Sequence, residues 1–297
     1  VIDLDELEIT GDNTLIYLAE GTRVNGKITA RNVTNLKIYG SGILSMENYI
    51  RRGPFTTIMH IDHCRNVLIE DICLLDSCGW SLHLNNCDEV KIHNVKIIGS
   101  RGNADGIDVC GCRNVHVEQC FIRTYDDCLV VKAFDTGNSE NLLFEQCTLW
   151  NDMARPMEVG VEIRCEELKN VTFRDIDVIH NLTCYPVFGI HHGDRALVSD
   201  IHFENIRIEH CPGTQLFDFR ITDSVWNKDR FKGSLKNIFV NDIFLVGKEG
   251  TDFRKLYARI ETEESDISGV YIRNINAYGK KIKNSGQLGL ELNGQVK

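Results

Sequence analysis

Apolar and polar residues alternate with a period of two through much of this chain, and Asn, Asp or Gly break the alternating runs. Such alternation predicts strands, because successive side chains on a strand point to opposite faces. One unit recurs: Asn, an aliphatic residue, any residue, an apolar residue, any residue, an amide or acid, and another apolar residue. It reads Asn66-Val67-Leu68-Ile69-Glu70-Asp71-Ile72, then Asn114-Val115-His116-Val117-Glu118-Gln119-Cys120, then Asn141-Leu142-Leu143-Phe144-Glu145-Gln146-Cys147. Asn170-Val171, Asp200-Ile201, Asn237-Ile238 and Gly269-Val270 open further copies. The first aliphatic residues are Leu36, Val67, Val90, Val115, Leu142, Val171, Ile201, Ile238 and Val270, in steps of 31, 23, 25, 27, 29, 30, 37 and 32 residues. An irregular period of this size, without a convincing helical period, marks a solenoid, in which equivalent positions of successive turns stack.

A second strand precedes the unit in several turns: Trp80–Leu84, Asp105–Val109, Asp127–Val131, Arg155–Val159 and Phe188–His192. Aligned, their third and fifth positions are almost all apolar and are expected inside. The first positions then form an outer column of Trp80, Asp105, Asp127, Arg155 and Phe188. The fourth positions form another, of His83, Asp108, Val130, Glu158 and His191. Parallel strands lie about 4.8 Å apart, so neighbours in a column can touch. The expected architecture is all-β, a right-handed single-stranded parallel β-helix of about nine to ten turns, with the hand taken from the crossover rule. Residues 1–297 form a single domain on this reading, with 1–31 an N-terminal capping turn and 280–297 a C-terminal cap or tail. The recurring Asn suits a bend between strands and can build an amide ladder.

Composition narrows the function. With 42% hydrophobic residues in 297, the chain can bury a large core. A formal charge of -10 and the lack of a Lys/Arg run argue against a nucleic-acid partner. No apolar stretch approaches a membrane span, and no signal peptide opens the chain, although an upstream segment could have been trimmed before Val1. The chain is read as a monomer, secreted or periplasmic, with an intracellular location left open by its many unpaired Cys. Of the 12 Cys, Cys64, Cys87 and Cys112 precede an anchor by three residues, and Cys120 and Cys147 follow one by five. Stacked positions of this kind predict ladders of buried thiols rather than disulfides. Cys110 and Cys112 make no CxxC pair, so zinc is not expected, and no motif calls for a cofactor.

The candidate chemistry lies in the first column, which brings Asp105 under Asp127 with Asp126 beside it. Like charges so placed repel, and at least one should stay protonated near neutral pH. Separating the titrations of neighbouring acids is how glycosidases obtain both an acid and a base. A solvated acidic face and a cation site are the alternatives.

Two segments carry a resemblance. Asn103-Ala104-Asp105-Gly106-Ile107-Asp108 is similar to the NTDGID segment of polygalacturonases, glycoside hydrolase family 28. Tyr125-Asp126-Asp127-Cys128-Leu129-Val130-Val131-Lys132 resembles that family's GDDCIAIK, and the intervals of 21 and 22 residues from Asp105 fit. The fold implied is the pectin-lyase-like solenoid. Two features depart: the GHG motif falls on Ala154-Arg155-Pro156, and the RIK motif falls near Gly189-Ile190-His191-His192 without Arg or Lys in register. Those groups serve galacturonate. Gly42–Tyr49, Thr148-Leu149-Trp150, Asp177–His180 and Ile16–Gly21 instead look like segments of the dextranase and isopullulanase group, family 49. The expectation therefore leans towards a neutral α-glycan, with a pectin-degrading hydrolase as the alternative.

The resemblance implies hydrolysis with inversion. Asp126 would protonate the glycosidic oxygen, and Asp105 and Asp127 would hold and activate the water, with acid and base about 6.5–9.5 Å apart. Arg155 could hold a sugar hydroxyl, lower the pKa of Asp127, or form a structural ion pair. Lys132 could line the same groove, and Glu158 is a fourth acid. Trp80, Tyr125, Phe134 and Trp150 are candidate sugar platforms, and His83, His191 and His192 candidate hydrogen-bonding groups. Asp108, Glu158 and His191 are weighed as a metal set, with none expected. A Ca²⁺-dependent lyase using Asp105, Asp126 and Asp127, or a glycan-binding β-helix without catalysis, are the competing classes.

Overall fold

The computed structural model describes the 297 residues except 51–55, 135–136, 183–184, 212–214, 247–257 and 297. The strands join in one 26-stranded coil. Their pairing is parallel throughout, except where Asn276 and Ala277 meet Lys281 and Lys280. All nine anchors lie in one column: Leu36 pairs with Val67, Val67 with Val90, and so on through Val115, Leu142, Val171, Ile201 and Ile238 to Val270. Val67 to Val171 are buried in the apolar core that fills the coil. No helix of the described residues is long and apolar enough to cross a membrane.

The residue before each anchor makes the bend. Asn35, Asn66, Asn114, Asn141, Asn170 and Asn237 hold φ between 53° and 59°, and Glu89, Asp200 and Gly269 take the same conformation. Asn, Asp and Gly are the residues for which this left-handed region costs least. The side chains also join across turns: Asn66 donates to Asn35 at 2.7 Å, Asn141 to Asn114 at 3.1 Å and Asn170 to Asn141 at 3.2 Å.

The first and last strands of the described residues belong to the coil. Ile2–Ile9 pairs in parallel with Arg23–Arg31, and Leu290–Val296 with Ala258–Ala277. Between the last two strands, Asn284 caps the short helix Ser285–Leu288. Cys64, Cys87 and Cys112 are buried thiols; the backbone amides of Val33 and Cys87 lie 3.4 and 3.3 Å from the sulfurs of Cys64 and Cys112. None of the described cysteines is in a disulfide, and Cys184 lies outside the described residues.

One wall of the coil holds the second strands: Leu82–Asn85, Ile107–Cys110, Leu129–Ala133, Met157–Ile163, Phe188–His192 and Phe217–Ile221. Its register matches expectation up to Glu158, with His83 opposite Asp108, Asp108 opposite Val130, and Val130 opposite Glu158. It then departs by two residues. Met157, not Arg155, pairs with Phe188, so Phe188 is buried in the core rather than in the outer column. Gly189 takes the place expected for His191, which stands opposite Gly160 and Arg220.

Candidate active site

Asp126 and Asp127 lie between the strands Phe121–Thr124 and Leu129–Ala133, at the edge of the wall. Two fully buried side chains seat this turn: Thr124 Oγ1 and Asn151 Nδ2 donate to the Asp126 carbonyl at 2.5 and 2.6 Å. Asn151 Oδ1 also accepts from the Ala154 amide at 2.7 Å, which ties the next turn to the same point. The Asp126 carboxylate accepts from the amides of Asn103 and Asp127 at 2.9 and 3.1 Å. Asp127 Oδ1 accepts from the Arg155 amide at 2.7 Å. Asp105 precedes the strand Ile107–Cys110 and is only 4% exposed. A Cβ on the following Gly106 would stand 2.3 Å from the Cys128 carbonyl, so this approach requires glycine. One carboxylate oxygen from each of Asp105, Asp126 and Asp127 lies within 4.8 Å of the other two. The acids are thus closer, at their nearest atoms, than the separation of about 6.5–9.5 Å expected for a water between them. The backbone hydrogen bonds on Asp126 and Asp127 hold them there.

Burial, and then the neighbouring Asp108, pushes the Asp105 carboxyl well above the usual range. Burial also raises Asp127, to about 6, although Arg155 partly offsets it. Lys132 supplies the central counter-charge. Its Nζ lies 3.9, 3.6 and 3.5 Å from carboxylate oxygens of Asp105, Asp108 and Glu162, and 3.9 Å from the centre of the Trp80 ring. Burial alone would favour the neutral amine, but Asp108 and Asp105 outweigh it and push the Lys132 pKa up.

Two cavities meet at the acids. One, of about 480 Å³, is lined by Trp80, Asn103, Asp105, Lys132 and Glu162; the other, of about 410 Å³, by Tyr185, His191, Arg220 and neighbours. Asp126, Asp127, Arg155, Val161 and Trp226 line both. Trp80, Lys132, Arg155 and His191 therefore reach the groove as expected. Arg155 lies over the Tyr185 ring at 4.8 Å, with its Nε 3.4 Å from Glu158.

The remaining candidates, His192 apart, do not contact the groove. Glu158 and Asp108 are fully buried. Glu158 Oε1 is 2.5 Å from His191 Nδ1, and its carboxyl is held below its usual pKa because Arg155 and His191 outweigh the effect of burial. A Cβ on Gly189 would lie 2.7 Å from Glu158 Oε2, so the glycine leaves space for this pair. Asp108 stands two strands away with Val130 between, so Asp108, Glu158 and His191 form no metal set. Trp150 lies on another wall, stacked on His180 at 4.4 Å and donating to Asp152 at 2.9 Å. Tyr125 is half-buried and lines neither cavity. His83 stacks on His60 at 4.6 Å and lines a separate recess with Lys27 and Arg31. His192 is buried and bonds the Ala196 carbonyl at 2.8 Å while bordering the second cavity.

Sequence reasoning missed Thr124, Asn151, Tyr185, Arg220 and Trp226. A signal existed for Arg220, since Phe217, Phe219 and Ile221 alternate around it as in the other strands of this wall. Nothing local singled out Asn151.

The chain belongs to the glycosyl hydrolases family 28, whose profile matches residues 5–287. It is 29% identical over 156 residues to a polygalacturonase of Juniperus ashei, covering 51% of this chain and 30% of that one. It is 28% identical over 133 residues to rhamnogalacturonase A of Aspergillus niger, covering 42% and 29%. The aligned parts thus span less than a third of either relative. The polygalacturonase of Erwinia carotovora ssp. carotovora shares the fold with a TM-score of 0.65 at 15% identity, over 99% of this chain and 86% of that one. The leaning towards the dextranase group is corrected by this match. The family's pattern extends along nearly the whole coil even though its His and its Arg or Lys are absent at Arg155 and at Gly189–His192.

Proposed function

We propose that the chain is an inverting hydrolase of a pectic polysaccharide. The observation that carries this reading is the convergence of three carboxylates where two cavities meet on a family 28 coil. The polymer would lie along the groove with its cleaved bond at the junction. Asp126 would give its proton to the leaving glycosidic oxygen as the bond to the anomeric carbon breaks. Water would attack that carbon from the opposite face and lose its proton to a carboxylate base. Electrostatics favour Asp127 as that base: at about 6 it is ionised near neutral pH, whereas burial and the neighbouring Asp108 push Asp105 further towards its protonated form. Asp105 would then hold the water. Arg155 and Arg220 line the second cavity and suit a uronate carboxylate, as does Lys132 in the first. The pectic relatives support the same substrate class.

The test is digestion of polygalacturonate, rhamnogalacturonan and xylogalacturonan with sizing of the products. Cleavage of at least one is expected, with inversion seen by NMR. Asp126→Asn should lose about 10²–10⁴-fold in turnover with its fold intact. Full activity in that variant, or cleavage of none of the polymers, would reject the assignment.

A further inference from the structure

A segment that the catalytic scheme leaves unused stands beside the acids. Residues 222–233 follow the strand Phe217–Ile221 and expose three large apolar side chains: Val225 at 91%, Trp226 at 58% and Phe231 at 80%. Single exposed apolar residues are ordinary. Here, however, the chain fixes the segment with buried polar groups. The Asp194 carboxylate is fully buried and accepts from the amides of Lys228 at 2.8 Å and Asp229 at 3.1 Å, from Asn227 Nδ2 at 3.4 Å and from the Ile163 amide at 3.2 Å. The Asp194 carbonyl accepts from the Gly233 amide at 2.7 Å, so one residue holds the middle and the far end. Arg195 adds a clamp, with Nη1 3.0 and 2.9 Å from the two Asp229 oxygens.

The tip is shaped as carefully as its base. Asn227 Oδ1 accepts from the Ser224 amide at 2.8 Å, and Ser224 Oγ accepts from the Trp226 amide at 3.1 Å. A Cβ on Gly193 would lie 2.2 Å from Asn227 Oδ1, so the neighbouring turn is cut away to admit this side chain. Asn227 also reaches the Val161 carbonyl at 3.5 Å, which carries the tip back to the groove. The outcome is that Trp226 lines both cavities, as do Asp126 and Asp127.

We propose that Trp226 is the platform on which the sugar rings on either side of the cleaved bond stack, and that Asp194 is the positioning residue that sets it there. An indole offers a wide, rigid apolar face to the C–H face of a pyranose, and two rotatable bonds are little to immobilise. Binding strength from such a platform goes into holding the rings over the acids in the reacting orientation. This inference rests on the hydrolase reading, because it needs a glycan in the groove.

The experiment uses the full chain carrying Asp126→Asn, titrated separately with oligogalacturonides and with rhamnogalacturonan oligosaccharides while tryptophan fluorescence is followed. A change in emission on binding is expected. Adding Trp226→Ala should weaken binding roughly tenfold or more and abolish most of the change. Trp226→Phe should restore most of the affinity while leaving only the part of the signal that Trp80 gives. Asp194→Asn should weaken binding as Trp226→Ala does while the Trp226 emission shifts. Arg195→Ala, which leaves Asp194 in place, should give a smaller loss and serves if Asp194→Asn fails to fold. Trp226→Ala binding within twofold of its parent would overturn the platform, as would an emission change undiminished by Trp226→Phe, since only a remainder can come from Trp80 in the same groove. Should the otherwise unaltered protein cleave no pectic polymer, the hydrolase reading falls and the platform falls with it. Cleavage combined with an indifferent Trp226 overturns the platform alone.

Discussion

At the scale of single residues, burial holds two of the three converging carboxylates, Asp105 and Asp127, towards their protonated forms. Asp127 is raised to about 6, chiefly by burial. In its proposed role as the water's base it must be ionised, so kcat/KM on the correct polymer should fall as pH drops below about 6. A profile flat down to about pH 4 would remove Asp127 from that role. Stability runs the other way. A carboxyl with a raised folded pKa stabilises the fold fully below its unfolded pKa, and that contribution is lost as pH rises through the folded value. Asp127→Asn should therefore raise the melting temperature at about pH 7 and lose that gain at about pH 4, with each kcal/mol worth roughly 2–4 °C in a chain of this size. The three acids were legible in the sequence because their spacing is set by the coil. Thr124 and Asn151 were not, because their importance lies in one carbonyl that both reach from different turns.

At the scale of the strand and its bend, the left-handed residue before each anchor separates two contributions. Asn141 holds φ 58° and exchanges hydrogen bonds with Asn114 and Asn170. Asn141→Gly keeps the easy backbone and loses the ladder, whereas Asn141→Ala loses both. Alanine should cost about 1–2 kcal/mol more than removal of the ladder alone, and glycine should stand between alanine and the parent in urea unfolding. Equal midpoints for the two variants would show that the backbone term is absent. The strands themselves were readable from their alternation, and the anchor column was readable in full. The register after Glu158 was not. A shift of two residues keeps the strand's alternation, so the pattern cannot detect it, even though here it carries Phe188 from the expected outer column into the core. Only the pairing of Met157 with Phe188 reveals that His191 stands opposite Arg220.

At the scale of the molecule, cohesion comes from packing between successive turns and from no covalent link among the described residues. Thiol titration of the unfolded, unreduced protein should count most of the 12 cysteines. A low count would place a disulfide framework in the core and contradict the buried thiols at Cys64, Cys87 and Cys112. The spacing between turns has a further meaning. Its longest step, the 37 residues from Ile201 to Ile238, holds the whole segment 222–233. Both anchors still pair directly with each other, so the added length has been absorbed outside the coil. Uneven spacing in such a chain is thus a map of where material has been set aside for recognition. A transplant of 222–233 between relatives, taken with Asp194, would exchange one groove rim for another while every rung beneath stayed in place.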